Sequence, residues 1–228
     1  MRLLIAAATT FELEHFQHFL DQKFAKTAEH LYCRNNLEVY VCITGIGMMQ
    51  AAFALAAAIG EFRPHFALQA GVAGAFNRDL PLAGLVIVRS EWMGDLGVED
   101  HGRYEDMFDI GLMQESGLPF AGRQLVNGFQ DFPLKLNLPF VTSLTVNTVS
   151  GSSATIHKRL EKYNCDIESM EGAAFHYACL MKKVPFLQVR SISNYVEPRD
   201  KSKWKMKEAV DNLNDTLLKY VDKLYKIV

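Results

Sequence analysis

The stretch Ile167–Phe175, IESMEGAAF, and the run Leu187–Asn194, LQVRSISN, decide how this chain is read. Each passes from apolar, strand-like residues into polar ones, and the first continues into the small, helix-compatible run GAAF. Two strand ends of this kind, meeting at one sheet edge, bring Glu168, Met170 and Glu171 beside Arg190, Ser193 and Asn194. A carboxylate there can accept hydrogen bonds from the paired hydroxyls of a sugar. A methionine gives a soft apolar floor, and an asparagine offers both a donor and an acceptor to a purine edge.

Outward from these segments, short apolar runs alternate with helical patterns, which predicts an α/β fold with a sheet covered on both faces. Strands are expected near 3–8, 38–44, 65–70, 84–91, 140–149 and 186–193, and helices over 10–20, 48–61, 153–163 and 170–181. Over 203–227, Val210, Leu213, Leu217, Leu218, Val221 and Leu224 repeat on one face, so an amphipathic helix closes the chain. The segment 93–135 is rich in Gly, Asp, Pro and Gln and reads as long loops with at most a short helix; its aromatics Tyr104, Phe108 and Phe120 favour a role in covering substrate.

With 228 residues, 49% hydrophobic and 22% charged, the chain suits one domain, 1–228. A formal charge of −2 without a basic block argues against a nucleic-acid partner. No run approaches the roughly 18–20 apolar residues that span a bilayer, so no membrane partner is expected. MRLLIAAATT, followed at once by Glu12 and Glu14, reads as a buried first strand rather than a signal peptide. Cys33, Cys42, Cys165 and Cys179 lack C-x-x-C spacing and read as reduced thiols of a cytoplasmic protein. His15 and His18 have no further ligand at zinc-like spacing, and TGIGMMQAA contains neither a dinucleotide nor a phosphate-loop fingerprint, so neither a metal nor a cofactor is implied.

The pattern M-E-x-x-A at Met170–Ala174, with R-x-I-S-N at Arg190–Asn194, resembles the purine nucleoside phosphorylase and methylthioadenosine/S-adenosylhomocysteine nucleosidase superfamily, and the resemblance extends over nearly the whole chain. It implies a nucleoside phosphorylase-like domain, a central mixed β-sheet flanked by helices, acting on the N-glycosidic bond of a purine nucleoside. It also implies a homodimer or larger homo-oligomer with the active site near a subunit interface.

By the same resemblance Glu12 is the base that orients an attacking water, although alone it would read as a helix-start carboxylate facing the dipole. Glu171 binds the ribose hydroxyls with Met170 beneath the sugar, and Ile46 lies beside it. Gly71 and Gly74, in QAGVAGAF, form a glycine-rich turn at the ligand. Ser150 gives backbone hydrogen bonds to the base edge or caps the next helix. Arg190 places the water or offsets carboxylate charge, a structural ion pair being the other reading.

Two positions narrow the chemistry. Phosphorylases of this kind carry an arginine and a hydroxyl residue where this chain has Gln69 and Val72, so water is the expected nucleophile. Adenine nucleosidases carry Asp where this chain has Asn194, the third residue assigned to catalysis, and an amide suits a 6-oxopurine instead. The string GDLGVEDHGRYED, Gly94–Asp106, resembles the futalosine hydrolase branch, which releases hypoxanthine and dehypoxanthine futalosine on a route to menaquinone. Phe11, Phe76, Tyr104 and Phe108 are candidate walls for the 5′ substituent, with Arg78 or Arg103 as the partner of its carboxylate. A methylthioadenosine/S-adenosylhomocysteine nucleosidase or a purine nucleoside phosphorylase would use the same pocket, whereas a catalytically idle binding protein would have no need to keep Glu12, Glu171 and Arg190 together.

Overall fold

In a computed structural model describing residues 1–228, strand β1 (Arg2–Ala7) enters the core and delivers the chain to one 3-10 turn, Phe11–Leu13, and helix α1 (Glu14–Lys23). Strands β2 (Ala25–Ala28), β3 (Leu31–Arg34) and β4 (Leu37–Ile43) follow as a meander, then helix α2 (Met48–Phe62) and strands β5 (Phe66–Ala75) and β6 (Leu85–Met93). Next come β7 (Gly97–Asp100), β8 (Arg103–Asp106), β9 (Phe120–Ala121), β10 (Gln124–Val126) and β11 (Phe140–Thr145). Helix α3 (Ser153–Lys162), β12 (Ile167–Ser169), α4 (Gly172–Lys182), β13 (Phe186–Tyr195) and α5 (Met206–Leu224) complete the chain.

Eleven of the strands share one mixed sheet, and part of it closes on itself. Strand β5 pairs with β13, β13 with β6, β6 with β11, β11 with β12, and β12 returns to β5. This ring encloses small and β-branched side chains, Ala73, Ala75, Val86, Val88, Val141, Ile167 and Ile192. From β5 the sheet opens outward through β1 and β4, covered on one side by α1 and α5 and on the other by α2 and α4. Val210, Leu213, Leu217, Val221 and Leu224 of α5 are buried, each contributing about 1.5–3 kcal/mol of apolar burial. Among them Asn214 is also buried, and it joins α5 to the turn carrying Glu12.

Three expectations change. Gln69–Phe76 is not a turn: β5 runs to Ala75, paired with β13 from Ala67 onward, and its glycines make room for side chains crossing the sheet. The segment 93–135 holds no helix. It forms the separate, largely polar hairpin β7–β8 and the short, mostly apolar pair β9–β10, whose β10 lies against β6 with Leu125 buried. Strands β2 and β3 went unread because β2 is wholly exposed and carries no buried alternation.

Candidate active site

The ends of β1, β5, β12 and β13 meet at a cleft of about 380 Å³, lined by Glu12, Val72, Glu171, Asn194, Arg199 and Trp204 among others. Glu12 is buried and held by three donors. Its Oε2 accepts from Thr9 N (3.0 Å) and Thr9 Oγ1 (3.2 Å), and its Oε1 accepts from Val72 N (3.2 Å). The backbone behind it is pinned from α5: Asn214 Nδ2 donates to Glu12 O (3.0 Å), while Asn214 Oδ1 accepts from Phe16 N (2.9 Å). Four donors thus fix one carboxylate and its main chain, and one acceptor site of the acid, on Oε1, remains for a ligand in the cleft that Glu12 lines.

Opposite it, at the start of α4, Glu171 Oε1 accepts from Gly47 N at 2.9 Å. Gly47 adopts φ +88°, a conformation that suits glycine and turns its N–H toward the carboxylate. Burial raises the pKa of Glu171, and the Arg190 guanidinium counters that rise. Arg190 is itself buried, with Nη1 3.9 Å from Glu171 Oε2 and 3.3 Å from Val72 O, and Nη2 donating to Gln69 Oε1 at 3.1 Å. Gln69 and Val72 therefore hold the cation by their oxygens, and the Val72 N–H is taken by Glu12.

Asn194 reaches the cleft through an irregularity in register between β13 and β5, where Ile192 pairs with Ala73 and Asn194 with Gly74, leaving Ser193 unmatched. Such a bulge re-aims the following side chain. Asn194 Oδ1 accepts from Ser193 Oγ at 2.8 Å and its Nδ2 donates to Tyr195 O at 2.9 Å, so one amide hydrogen and one lone pair remain for a ligand edge.

The structure gathers Glu12, Ile46, Gly74, Met170, Glu171 and Asn194 around this cleft, with Arg190 behind it. Gly71 is not on the wall: a Cβ there would lie 2.3 Å from Arg190 Nη1 and 3.0 Å from Glu12 Oε1, so it spaces those two side chains. Ser150 is not a free donor. Its N and Oγ donate to Glu168 at 2.8 and 2.6 Å, Arg159 Nη1 reaches the same carboxylate at 2.7 Å, and Ser152 rather than Ser150 caps α3. Phe11 lines the cleft, but Phe76 and Tyr104 pack with Leu144, Val146 and Tyr163, and Phe108 packs edge-on against Phe120. Arg78 is paired with Glu197 at 2.7 Å, and Arg103 lines a larger hollow of about 570 Å³ beside α3 that shares no residue with the cleft.

Reading the sequence missed Thr9, Asn214, Arg199 and Trp204. The last two lie on the connection between β13 and α5, where the Arg199 guanidinium sits 5.4 Å over the Trp204 ring. A cation five residues from an aromatic is too common a pattern to mark a site.

This fold and this cleft define a class. Residues 2–224 match the phosphorylase superfamily, and the chain belongs to that family. Among its relatives, the futalosine hydrolase of Thermus thermophilus is 32% identical over 177 residues, 75% of each chain. The futalosine hydrolase of Streptomyces coelicolor is 31% identical over 157 residues, 68% of this chain and 65% of that protein. The native structure of futalosine hydrolase from Helicobacter pylori strain 26695 superposes with a TM-score of 0.79 over 98% of both chains at 17% identity, a likeness of fold.

Proposed function

We propose that this chain is an N-glycosyl hydrolase that cleaves futalosine to hypoxanthine and dehypoxanthine futalosine, the substrate named for its relatives in Thermus thermophilus and Streptomyces coelicolor. The observation that carries the hydrolytic part is the occupation of the Val72 N–H by the Glu12 carboxylate. An inorganic phosphate at that spot would meet a buried negative charge, whereas a water there finds a fixed acceptor. Glu12 polarises the water, Glu171 holds the ribose hydroxyls over Met170, and Arg190 limits the repulsion between the two acids. Asn194, with one N–H and one lone pair to offer, favours a 6-oxopurine as the departing base. Arg199 has no carboxylate partner and is the cation the cleft offers to an acidic 5′ group.

Self-association and a cytoplasmic location belong to the same reading. Its support is an apolar surface on α2 and α4 and four free cysteines. No helix is long and apolar enough to cross a membrane.

The test is chromatographic: purified protein incubated with futalosine, inosine or methylthioadenosine, with and without phosphate. The expected result is hypoxanthine from futalosine at a rate that phosphate does not change. Adenine from methylthioadenosine as the main product would transfer the assignment to the adenine nucleosidases, and a requirement for phosphate would make the enzyme a phosphorylase.

A further inference from the structure

Beneath the cleft a second polar cluster lies wholly in the core. Glu91 of β6 is fully buried; its Oε2 accepts from Thr145 Oγ1 at 2.8 Å and its Oε1 from Gln188 Nε2 at 2.8 Å. A Cβ on Gly172, the first residue of α4, would fall 1.9 Å from Glu91 Oε1, so the acid sits directly under the helix start that follows Glu171. Thr145 Oγ1 also accepts from Ala173 N at 2.8 Å, tying the same helix start to Glu91 through one hydroxyl.

The groups facing Glu91 come from every element packed on it. Arg190 and Gln188 come from β13 and Ser143 and Thr145 from β11, β10 presents only the apolar Leu125 opposite it, and α4 adds His176, which stands beside Gln188 rather than against Glu91. The charge of Glu91 also reaches the Cys165 thiol. Burial pushes the Glu91 carboxyl up to about 7, against the pull of Gln188, Thr145 and Arg190. His176 is driven down to about 3 by burial, and its Nδ1 lies 3.0 Å from Leu125 O, so the ring is neutral with its hydrogen on Nδ1.

Six buried side-chain atoms lack a hydrogen-bond partner, and four of them belong to this cluster: Ser143 Oγ, His176 Nε2, Gln188 Oε1 and Arg190 Nε. A proton on Glu91 resolves two of them. With the Gln188 amide turned, its oxygen accepts from the carboxylic acid and its NH2 group donates toward His176 Nε2, an acceptor in this tautomer. Charge counting points the same way. Arg190 is the one buried cation beside the buried acids Glu12 and Glu171, and an ionised Glu91 would set a third buried acid against it.

We propose that Glu91 is a positioning residue that works as a neutral acid: protonated, it leaves the charge of Arg190 to the cleft carboxylates, and ionised, it draws the guanidinium inward and turns the enzyme down. This rests on the reading of the cleft as a nucleosidase site. Activity therefore falls as pH rises through the Glu91 transition. The experiment is the pH profile of kcat/KM for wild type, Glu91→Gln and Thr145→Val. In wild type kcat/KM drops about tenfold between one pH unit below the transition and one above it. Glu91→Gln, uncharged at every pH, flattens that drop to less than about twofold. Thr145→Val removes a hydrogen bond to the ionised form and moves the limb to higher pH. An alkaline limb that persists in Glu91→Gln overturns the proposal. If Glu91→Gln does not fold, a limb unmoved in Thr145→Val overturns it.

A melting series separates this proposal from the substrate assignment, because it needs no turnover. The folded-state pKa of Glu91 lies above that of an unfolded glutamate. Its contribution to stability is therefore full below the unfolded value and lost as pH rises to about 7. Wild type should lose melting temperature across that window, and Glu91→Gln should lose less and stand above wild type on the alkaline side. Parallel curves overturn the proposal even if futalosine is the substrate. Flattening in Glu91→Gln supports the buried acid even if no nucleoside is cleaved.

Discussion

Glu12 is defined by what surrounds it more than by its place in the chain. Three N–H and O–H donors converge on its carboxylate, and Asn214 anchors its main chain. Glu12→Gln keeps the shape but puts an NH2 group where one of those donors points. It also removes the anion proposed above to polarise water. We expect kcat to fall by about 10²–10⁴, with KM changed by no more than a few-fold, read from steady-state kinetics on futalosine. Turnover at the wild-type rate would remove Glu12 from the mechanism. Residues such as Glu12, Glu171 and Asn194 stand out in the sequence because each sits where an apolar run breaks. Glu91 does not, since a buried acid and a surface acid on a strand are spelled alike. Asn214 acts through hydrogen bonds to Phe16 and Glu12, 198 and 202 residues away in the sequence, which no local spacing reports, while Thr9 bonds Glu12 only three residues on, in a Thr-x-x-Glu pattern that also reads as an ordinary helix start.

At the scale of elements, β5 explains why a glycine signal was misread. Glycine marks a turn when nothing else is known, yet here Gly71 and Gly74 lie inside a strand that pairs with β13 along its length. Gly71 gives space to Arg190 and Glu12, and Gly74 to Asn194 and Val196. Gly71→Ala should therefore push apart the guanidinium and the acid while leaving the sheet paired. The expected outcome is a loss of kcat/KM of at least about tenfold, with about 1–3 kcal/mol of destabilisation from overpacking. Gly60→Ala is the control, because Gly60 lies within α2 and a Cβ there meets nothing within 4 Å. It should gain up to about 1 kcal/mol and leave kinetics alone. Thermal melts and kinetics on the two variants decide the matter; wild-type kinetics in Gly71→Ala would mean the spacing is not needed. The elements with strong apolar periodicity, α5 and the buried strands, were legible, whereas the hairpin β7–β8 was not, since its pairing is set by backbone bonds between polar residues.

For the whole molecule, the outstanding feature is apolar surface left uncovered beside the cleft. Met49 and Phe53, one turn apart on α2, are 82% and 80% exposed, and Tyr177 and Met181 on the adjacent α4 are 44% exposed each. Ile46, which lines the cleft, is 56% exposed just before α2 begins. Scattered apolar residues on a surface need no explanation, but large ones at one-turn spacing on two packed helices fit an interface. A second copy of the chain is the occupant we argue for, because covering this face also covers Ile46 at the mouth of the cleft. Light scattering should then give a mass at least twice the 25.7 kDa of one chain. Phe53→Glu would bury an unpaired charge at the centre of that contact, a penalty of several kcal/mol, and should return the protein to a single-chain mass. Because Phe53 does not line the cleft, a fall in kcat/KM in the same variant would come from an opened mouth rather than altered chemistry, and it should be recovered at protein concentrations high enough to restore association. A wild-type protein that scatters as a single chain at micromolar concentration would refute self-association and leave the cleft to work within one subunit.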